Sequence, residues 1–354
     1  MSHTAAMVSS AGIPLSVVSR ATPTPGPNEV LVAVKAIAFN PVDIAQRDMG
    51  LFIESYPAVV GCDVAGVIEA RGADVTDSAY QPGTRVTALA SSFYMQGNPD
   101  YGAMQEKVVV PIAAVTPLPD TLGFREACIL PLSVFVSWTG WTVLDIPHER
   151  NVANSSSVSK TPGVIVWGAG SSMGTSAVQT ARWLGFTVYA TASPKHSTYL
   201  HGLGVSRVFD YKSPVSVLKT EISQAMEQDN LSINKVFLAA GQVAPAIEIL
   251  RAIKPDSERG IIASAPLVPA DLPPLGDDLE VNFILPPSDP VAREQLAGWI
   301  FNSWLPGHLA SGEFVPGPAV RVVGCGLEAA NTALNELRGG VSGEKLVIDI
   351  SGDV

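Results

Sequence analysis

The stretch 161–195, TPGVIVWGAGSSMGTSAVQTARWLGFTVYATASPK, constrains the fold of this chain more than any other. An apolar run, Val164-Ile165-Val166-Trp167, breaks into a turn carrying Gly168, Gly170 and Gly174. From 175 to 184 the apolar residues Ala177, Val178, Ala181 and Leu184 follow helical spacing. Gly185 ends that helix, and 187–191 reads as the next strand. Strand, glycine turn, helix and strand form a βαβ unit, whose helix N-terminus can hold a pyrophosphate on free backbone N–H groups.

The turn departs from the common G-x-G-x-x-G spacing. Met173 stands where the third glycine is expected, and Gly174 follows one step later. Ser171 and Ser172 in this turn have no G-x-S-x-G elbow around them, so phosphate contact is the better use of both hydroxyls. The second strand ends in Ala192-Ser193-Pro194-Lys195-His196, without the acid that meets a ribose 2′-OH in NAD-binding proteins. A hydroxyl and one or two cationic groups suit a 2′-phosphate instead. NADPH is therefore the expected cofactor.

At 354 residues the chain has room for two domains. With 47% hydrophobic and 16% charged residues it can bury a large core, which sets disorder aside. A net charge of −11 argues against nucleic acid or an anionic membrane as partner, since both need clustered Lys and Arg. Cys62, Cys128 and Cys325 are odd in number and far apart, so no disulfide framework is suggested. The N-terminal residues lack the basic and apolar regions of a secretory signal, and no apolar run reaches bilayer length, so a cytoplasmic location is expected.

Before the glycine turn, short alternating strands separated by Gly and Pro (15–34, 59–69, 84–89, 105–110) suggest a small β-barrel or sandwich. A helix is expected over 126–144, and the polar run 148–160 reads as an exposed loop. From 164 to about 265, strands and helices alternate as in a parallel, doubly wound sheet. The proline-rich, acidic segment 271–287 reads as a connection. A helix near 294–305, a strand at 319–323, a helix at 326–337 and a final strand at 345–350 complete the pattern.

That order, with several specific strings, resembles the medium-chain dehydrogenase/reductase superfamily. The strings are Asn40-Pro41-Val42-Asp43, then Tyr56-Pro57-Ala58-Val59-Val60-Gly61-Cys62-Asp63-Val64-Ala65-Gly66, and Gly83-Thr84-Arg85-Val86. The glycine turn, Val208-Phe209-Asp210-Tyr211 and Val341-Ser342-Gly343-Glu344-Lys345-Leu346-Val347 extend the match. They look like the zinc-free, fungal ToxD-like, quinone-oxidoreductase-type branch, which includes the stand-alone enoyl reductases of polyketide pathways. The resemblance implies an α/β chain with two domains. A GroES-like β-rich catalytic domain is expected at 1–125, completed by 290–354, and an NADPH-binding Rossmann domain at 126–289. It also places Tyr211, after the third strand, beside Ser193 and Lys195 at the 2′-phosphate.

Zinc alcohol dehydrogenases of the superfamily carry a Cys ligand in the loop where this chain has Asn40 to Asp43. They carry Gly-His-Glu where it has Gly61-Cys62-Asp63, and four clustered cysteines that this chain lacks. Zinc needs three or four placed N, S or O ligands, so no metal is expected. Cys62 reads as a small core residue. Without a Lewis acid, a conjugated alkene is an easier target than a carbonyl, because charge from hydride addition spreads into an enolate. Some mitochondrial enoyl reductases place a catalytic Tyr in a Gly-x-Tyr-Pro string; here Gly50-Leu51-Phe52 loses that hydroxyl.

Asn40, Asp43 and Tyr56 are the catalytic candidates, on a loop bordering the cleft where the nicotinamide is expected. Gly168, Gly170, Ser171, Ser172, Met173, Gly174, Ser193, Lys195 and Tyr211 are the cofactor candidates. The five histidines show no metal-ligand spacing, and Phe135, Trp138 and Trp141 read as core or as a substrate channel. The expected activity is NADPH-dependent reduction of an enoyl or enone double bond. The substrate is a small molecule or is carried, with a polyketide synthase as the partner that the resemblance implies. Quinone reduction and nucleotide binding without turnover remain alternatives, and monomer and homodimer both stay open.

Overall fold

The computed structural model describes residues 1–151 and 160–350. Most of the polar run 148–160 thus lies outside the described residues. The chain divides into two compact units, Met1–Leu132 with Asp289–Val354, and Ser133–Ser288.

The first unit opens with β1 (Ser2–Val8), β2 (Ser16–Ala21) and β3 (Glu29–Ala38), followed by helix α1 (Pro41–Met49). Strands β4 (Ala58–Val59), β5 (Asp63–Arg71), β6 (Arg85–Leu89), β7 (Lys107–Pro111) and β8 (Val115–Pro117) come next, then the short helix α2 (Phe124–Ala127). Helix α3 (Pro131–Val143) starts at the end of this segment and runs on into the second unit, which begins at Ser133. In the second unit, β9 (Thr161–Trp167), α4 (Ser172–Trp183), β10 (Thr187–Ala192), α5 (Ser197–Gly202), β11 (Arg207–Asp210) and α6 (Val215–Gln228) alternate. They continue through β12 (Leu231–Leu238), α7 (Val243–Ile253), β13 (Gly260–Ser264) and β14 (Leu279–Phe283). The chain then returns to the first unit with α8 (Pro290–Gly298), a π-helical turn (Trp299–Trp304), α9 (Leu305–Ser311), β15 (Ala319–Cys325), α10 (Ala330–Arg338) and β16 (Glu344–Asp349).

The first unit is built on a seven-stranded sheet in the order β15-β16-β3-β5-β6-β8, with β7 also paired to β3. Its centre, β3, reads EVLVAVKAIA and is buried along most of its length, as a β-branched, two-sided core strand should be. The last strand closes on it antiparallel, with Ile348 opposite Ile37. A smaller sheet, β2-β1-β4, flanks this core.

The second unit is a six-stranded sheet in the order β11-β10-β9-β12-β13-β14, every pair parallel. Numbered from β9 this is 3-2-1-4-5-6, the doubly wound Rossmann order, with its reversal between β9 and β12. Helix α6 buries Leu218, Ile222, Ala225 and Met226, one stripe at helical spacing. That stripe and Leu250 of α7 pack with Ile233, Val236 and Ile262 of the sheet. Each such fully buried side chain contributes about 1.5–3 kcal/mol. Phe135, Trp138 and Trp141 are buried core, so the channel alternative for them falls away.

Three expectations are corrected. Asn40 and Asp43 do not lie on a loop: Asn40 caps α1 and Asp43 is its third residue. The segment 271–287 is not only a connection, since it contains the edge strand β14 paired to β13. The first strand begins at Ser2, well ahead of residue 15.

Candidate nucleotide-binding and active site

The glycine turn lies at the carboxyl end of β9, next to the point where strand order reverses. Gly168 has φ of 77°, and a Cβ there would meet the Ala240 carbonyl oxygen at 2.7 Å. A Cβ on Gly174 would come within 2.4 Å of the Gly168 oxygen, so glycine lets the first turn of α4 press onto the strand end. The Gly168 N–H donates to Thr191 Oγ1 at 3.1 Å, fixing the turn to the end of β10.

The two serines have separate jobs. Ser171 is the N-cap of α4: its Oγ accepts from the Gly174 N–H at 3.0 Å and donates to the Gly168 oxygen at 2.8 Å. Ser172 Oγ is buried and makes no hydrogen bond within the structure. A buried hydroxyl without a partner is costly. At a helix N-terminus, beside backbone N–H groups without intrahelical acceptors, an anionic oxygen satisfies it. The turn therefore fits a dinucleotide pyrophosphate, with Ser172 rather than Ser171 as the free hydroxyl. Met173 is half-buried in the same turn.

Strands β10 and β11 run parallel with Ala192 opposite Asp210, so Ser193 and Tyr211 are the next residues on adjacent strand ends. Lys195 lies in a short 3-10 turn, Pro194–His196, and is exposed. Sequence reasoning missed Lys212, whose ammonium sits 5.9 Å from the Tyr211 ring centre and adds a second cation to this edge. The carboxylate of Asp210 accepts from the Lys212 N–H at 3.0 Å.

In the first unit, α1 and β5 bring Asn40, Asp43, Cys62 and Asp63 into one buried cluster. Asn40 and Asp43 form a capping box: the Asn40 N–H donates to Asp43 Oδ2 at 2.8 Å. Asn40 Nδ2 donates to Asp63 Oδ2 at 2.8 Å, and the Lys345 ammonium of β16 donates to Asn40 Oδ1. Lys345 also lies 3.4 Å from Asp63, and the Leu132 N–H at the start of α3 donates to Asp63 Oδ1 at 2.7 Å. The Cys62 thiol faces Asp43 Oδ1 at 3.6 Å.

Two carboxyls thus share one buried ammonium. Burial pushes the Asp63 carboxyl up as well, and its three donors, the Lys345 ammonium, Asn40 Nδ2 and the Leu132 N–H, oppose that rise. Burial pushes Asp43 up to about 7, against the opposing Asn40 N–H bond, and the Asp63 charge adds to the rise. Burial, then the two carboxylates, pushes the Cys62 thiol well above its ordinary range, which makes it a poor nucleophile. Among the described residues no group of three or more His, Cys, Asp or Glu side chains is arranged to hold a metal ion. Tyr56 does not join this cluster. Its hydroxyl lies against Gly50, and 37% of the residue is exposed.

The alcohol dehydrogenase GroES-like domain family matches residues 26–120. Trans-enoyl reductase tndF of Aspergillus flavipes is 42% identical over 98% of both chains. The chain belongs to the fungal enoyl-reductase branch of the medium-chain dehydrogenase/reductases. Another trans-enoyl reductase, tazE of Aspergillus terreus, is 42% identical over 83% of this chain and 96% of its own. Among solved structures, a putative zinc-dependent alcohol dehydrogenase of Rhizobium etli matches with a TM-score of 0.78 at 23% identity, covering 99% of both chains. The CurK enoyl reductase matches with a TM-score of 0.74 at 19% identity, over 98% of this chain and 99% of that one. These structures share the medium-chain reductase fold. Membership makes the chain an oxidoreductase with a nicotinamide cofactor. No helix among the described residues is long and apolar enough to cross a membrane.

Proposed function

We propose that this reductase uses NADPH to reduce an activated carbon–carbon double bond, enoyl or enone. The substrate is a small molecule or is carried by a polyketide synthase of fungal secondary metabolism, and the reaction proceeds in the cytoplasm without a metal. The similarity to trans-enoyl reductases along the whole chain supports the reaction class.

The observation that carries the reading is what Asn40 does. Both polar atoms of its side chain are engaged inside the buried cluster, Nδ2 on Asp63 and Oδ1 on Lys345. A carboxamide so occupied is no zinc ligand, and without a Lewis acid the conjugated alkene is the substrate whose charge can spread.

NADPH supplies the hydride. On this reading Ser172 and the first turn of α4 hold the pyrophosphate, while Ser193, Lys195 and Tyr211 hold the 2′-phosphate. The enolate formed by hydride addition at the β-carbon needs hydrogen-bond donors and then a proton. Asn40 and Asp43 are tied to each other, so they brace α1 rather than deliver that proton. Water or a side-chain hydroxyl such as that of Tyr56 delivers it.

The test is isotopic. Deuterium from labelled NADPH is expected at the β-carbon of an α,β-unsaturated thioester or ketone. Label on a carbinol carbon, turnover of simple quinones alone, or tight NADPH binding without turnover would each overturn the proposal.

A further inference from the structure

The loop that follows β6 in the first unit is tied at its base to Cys62 and to helix α1. Its first residue, Ala90, donates from its N–H to the Cys62 oxygen at 2.7 Å. Ser92 Oγ accepts from Gln46 Nε2 of α1 at 3.2 Å, and the same carboxamide accepts from the Gly61 N–H at 3.2 Å. The Met95 N–H donates to the Ser91 oxygen at 2.9 Å and the Gly97 N–H to the Ser92 oxygen at 2.8 Å, so the loop also closes on itself. Tyr94 stands within this closed loop, and the Arg293 guanidinium of α8 lies 4.6 Å from its ring centre.

The ring of Tyr94 is half-buried, yet its hydroxyl makes no hydrogen bond among the described residues and is not sealed in. Its surroundings are apolar: Phe93 meets the ring edge-on at 4.3 Å, and Phe52 lies 6.3 Å from Phe93. Phe52 is exposed and holds a φ of 59°, a backbone that a bulky side chain rarely adopts. Its loop is fixed to that of Tyr94 by the Glu54 N–H, which donates to the Gln96 oxygen at 3.0 Å. Burial holds the phenol well above its ordinary range, against the opposing Arg293 charge, and the Cys62 side chain adds to the rise. The hydroxyl thus keeps its proton, lies within electrostatic reach of Cys62, and has a hydrogen bond to give in low-dielectric surroundings. The donors of the neighbouring cluster are engaged: Asn40 Nδ2 on Asp63, and the Lys345 ammonium on Asn40 beside Asp63.

We propose that Tyr94 is a catalytic residue, donating from its hydroxyl to the carbonyl oxygen of an α,β-unsaturated acyl substrate. The proposal rests on the enoyl-reduction reading above and adds a residue to it. Hydride addition at the β-carbon oxidises NADPH to NADP+ and moves the alkene electron pair onto the carbonyl oxygen. The phenol hydrogen bond strengthens as that oxygen gains charge, while the phenol keeps its own proton. The α-carbon then takes a proton from water or a second hydroxyl, and the carbonyl is restored.

The experiment uses the crotonyl thioester of N-acetylcysteamine as probe, with the full chain and with Tyr94→Phe. Tyr94→Phe is expected to lose roughly a hundredfold in kcat, the size of one lost oxyanion donor. KM, NADPH affinity and melting temperature should stay nearly unchanged, since the interaction removed belongs to the transition state. Infrared difference spectra of the thioester bound with NADP+, where no hydride can pass, give a readout apart from turnover. Its carbonyl stretch should move to lower frequency in the unmodified protein, and that shift should shrink in Tyr94→Phe. A kcat within threefold of the unmodified protein, or the same carbonyl shift in both proteins, overturns the role of Tyr94 and leaves the enoyl-reductase reading standing. No reduction of the thioester by the unmodified protein overturns both.

Discussion

Lys345 and Asn40, 305 residues apart in sequence, meet through a buried hydrogen bond from the ammonium to Oδ1. The same ammonium lies 3.4 Å from Asp63, which is fully buried. Removing one partner of a buried ion pair strands the other charge. Lys345→Met is therefore expected to destabilise the first unit by about 3–5 kcal/mol in chemical denaturation. Lys345→Met with Asp63→Asn should recover part of that loss. No recovery in the double variant would show that the pair is not the source.

Asp43 gives a pH signature. Its folded carboxyl titrates near 7, above the ordinary unfolded value of 3.8. Between those values the unfolded chain has released a proton that the native protein keeps, so this group's contribution to stability falls as pH rises from about 4 to 7 and is constant above. Asp43→Asn removes the titration. The stability of the unmodified protein minus that of Asp43→Asn should decline across this window, measured by urea midpoints at fixed ionic strength. A flat difference would mean that Asp43 is ionised throughout.

Neighbouring serines are expected to part company. Ser171→Ala deletes the N-cap of α4 and should cost about 1 kcal/mol of stability. Ser172→Ala should leave stability unchanged or raise it, because it removes a buried unsatisfied hydroxyl, yet weaken NADPH and NADH alike. Thermal melts and binding titrations on the two variants read both effects. Equal behaviour would contradict the division of roles.

Lys195→Ala should weaken NADPH by about tenfold or more, since a charge-assisted contact contributes roughly 1.5–3 kcal/mol, and leave NADH nearly unchanged. Equal losses for both cofactors would displace Lys195 from the 2′-phosphate.

Tyr56→Phe is expected to slow turnover without abolishing it, because on the proposed mechanism its hydroxyl shares proton delivery with water. Complete loss of activity, with substrate binding intact, would make Tyr56 the sole donor.

The second unit was legible because its signals are local. Gly168, Gly174 and the Ala177–Leu184 stripe are close in sequence, and their spacing alone describes a turn between strand and helix. Helix α1 hid because it buries Asp43, Gln46 and Arg47, so its inward face carries polar residues where apolar periodicity is sought. Strand β14, LEVNF, is a short edge strand set among prolines and acids, and only Leu279 of it is buried. The partnership of Asn40 with Lys345 has no local trace at all. Ser172 as the unsatisfied hydroxyl depended on which serine caps the helix, and both residues are equally suited by type.

The closure of β16 on β3 also sets the order in which the protein can be made. Strands β9 to β14 occupy one continuous run, so the second unit can pair as soon as that run leaves the ribosome. The first unit cannot: Ala36–Ala38 of β3, beyond the stretch paired with β7, wait for β16, which is made after the whole of the second unit. Until then the Ala36–Ala38 end of β3 offers unpaired backbone groups, a template for association with other chains. A nonsense mutation just before Glu344 would deliver a protein whose nucleotide-binding half is whole and whose other half is permanently open to aggregation.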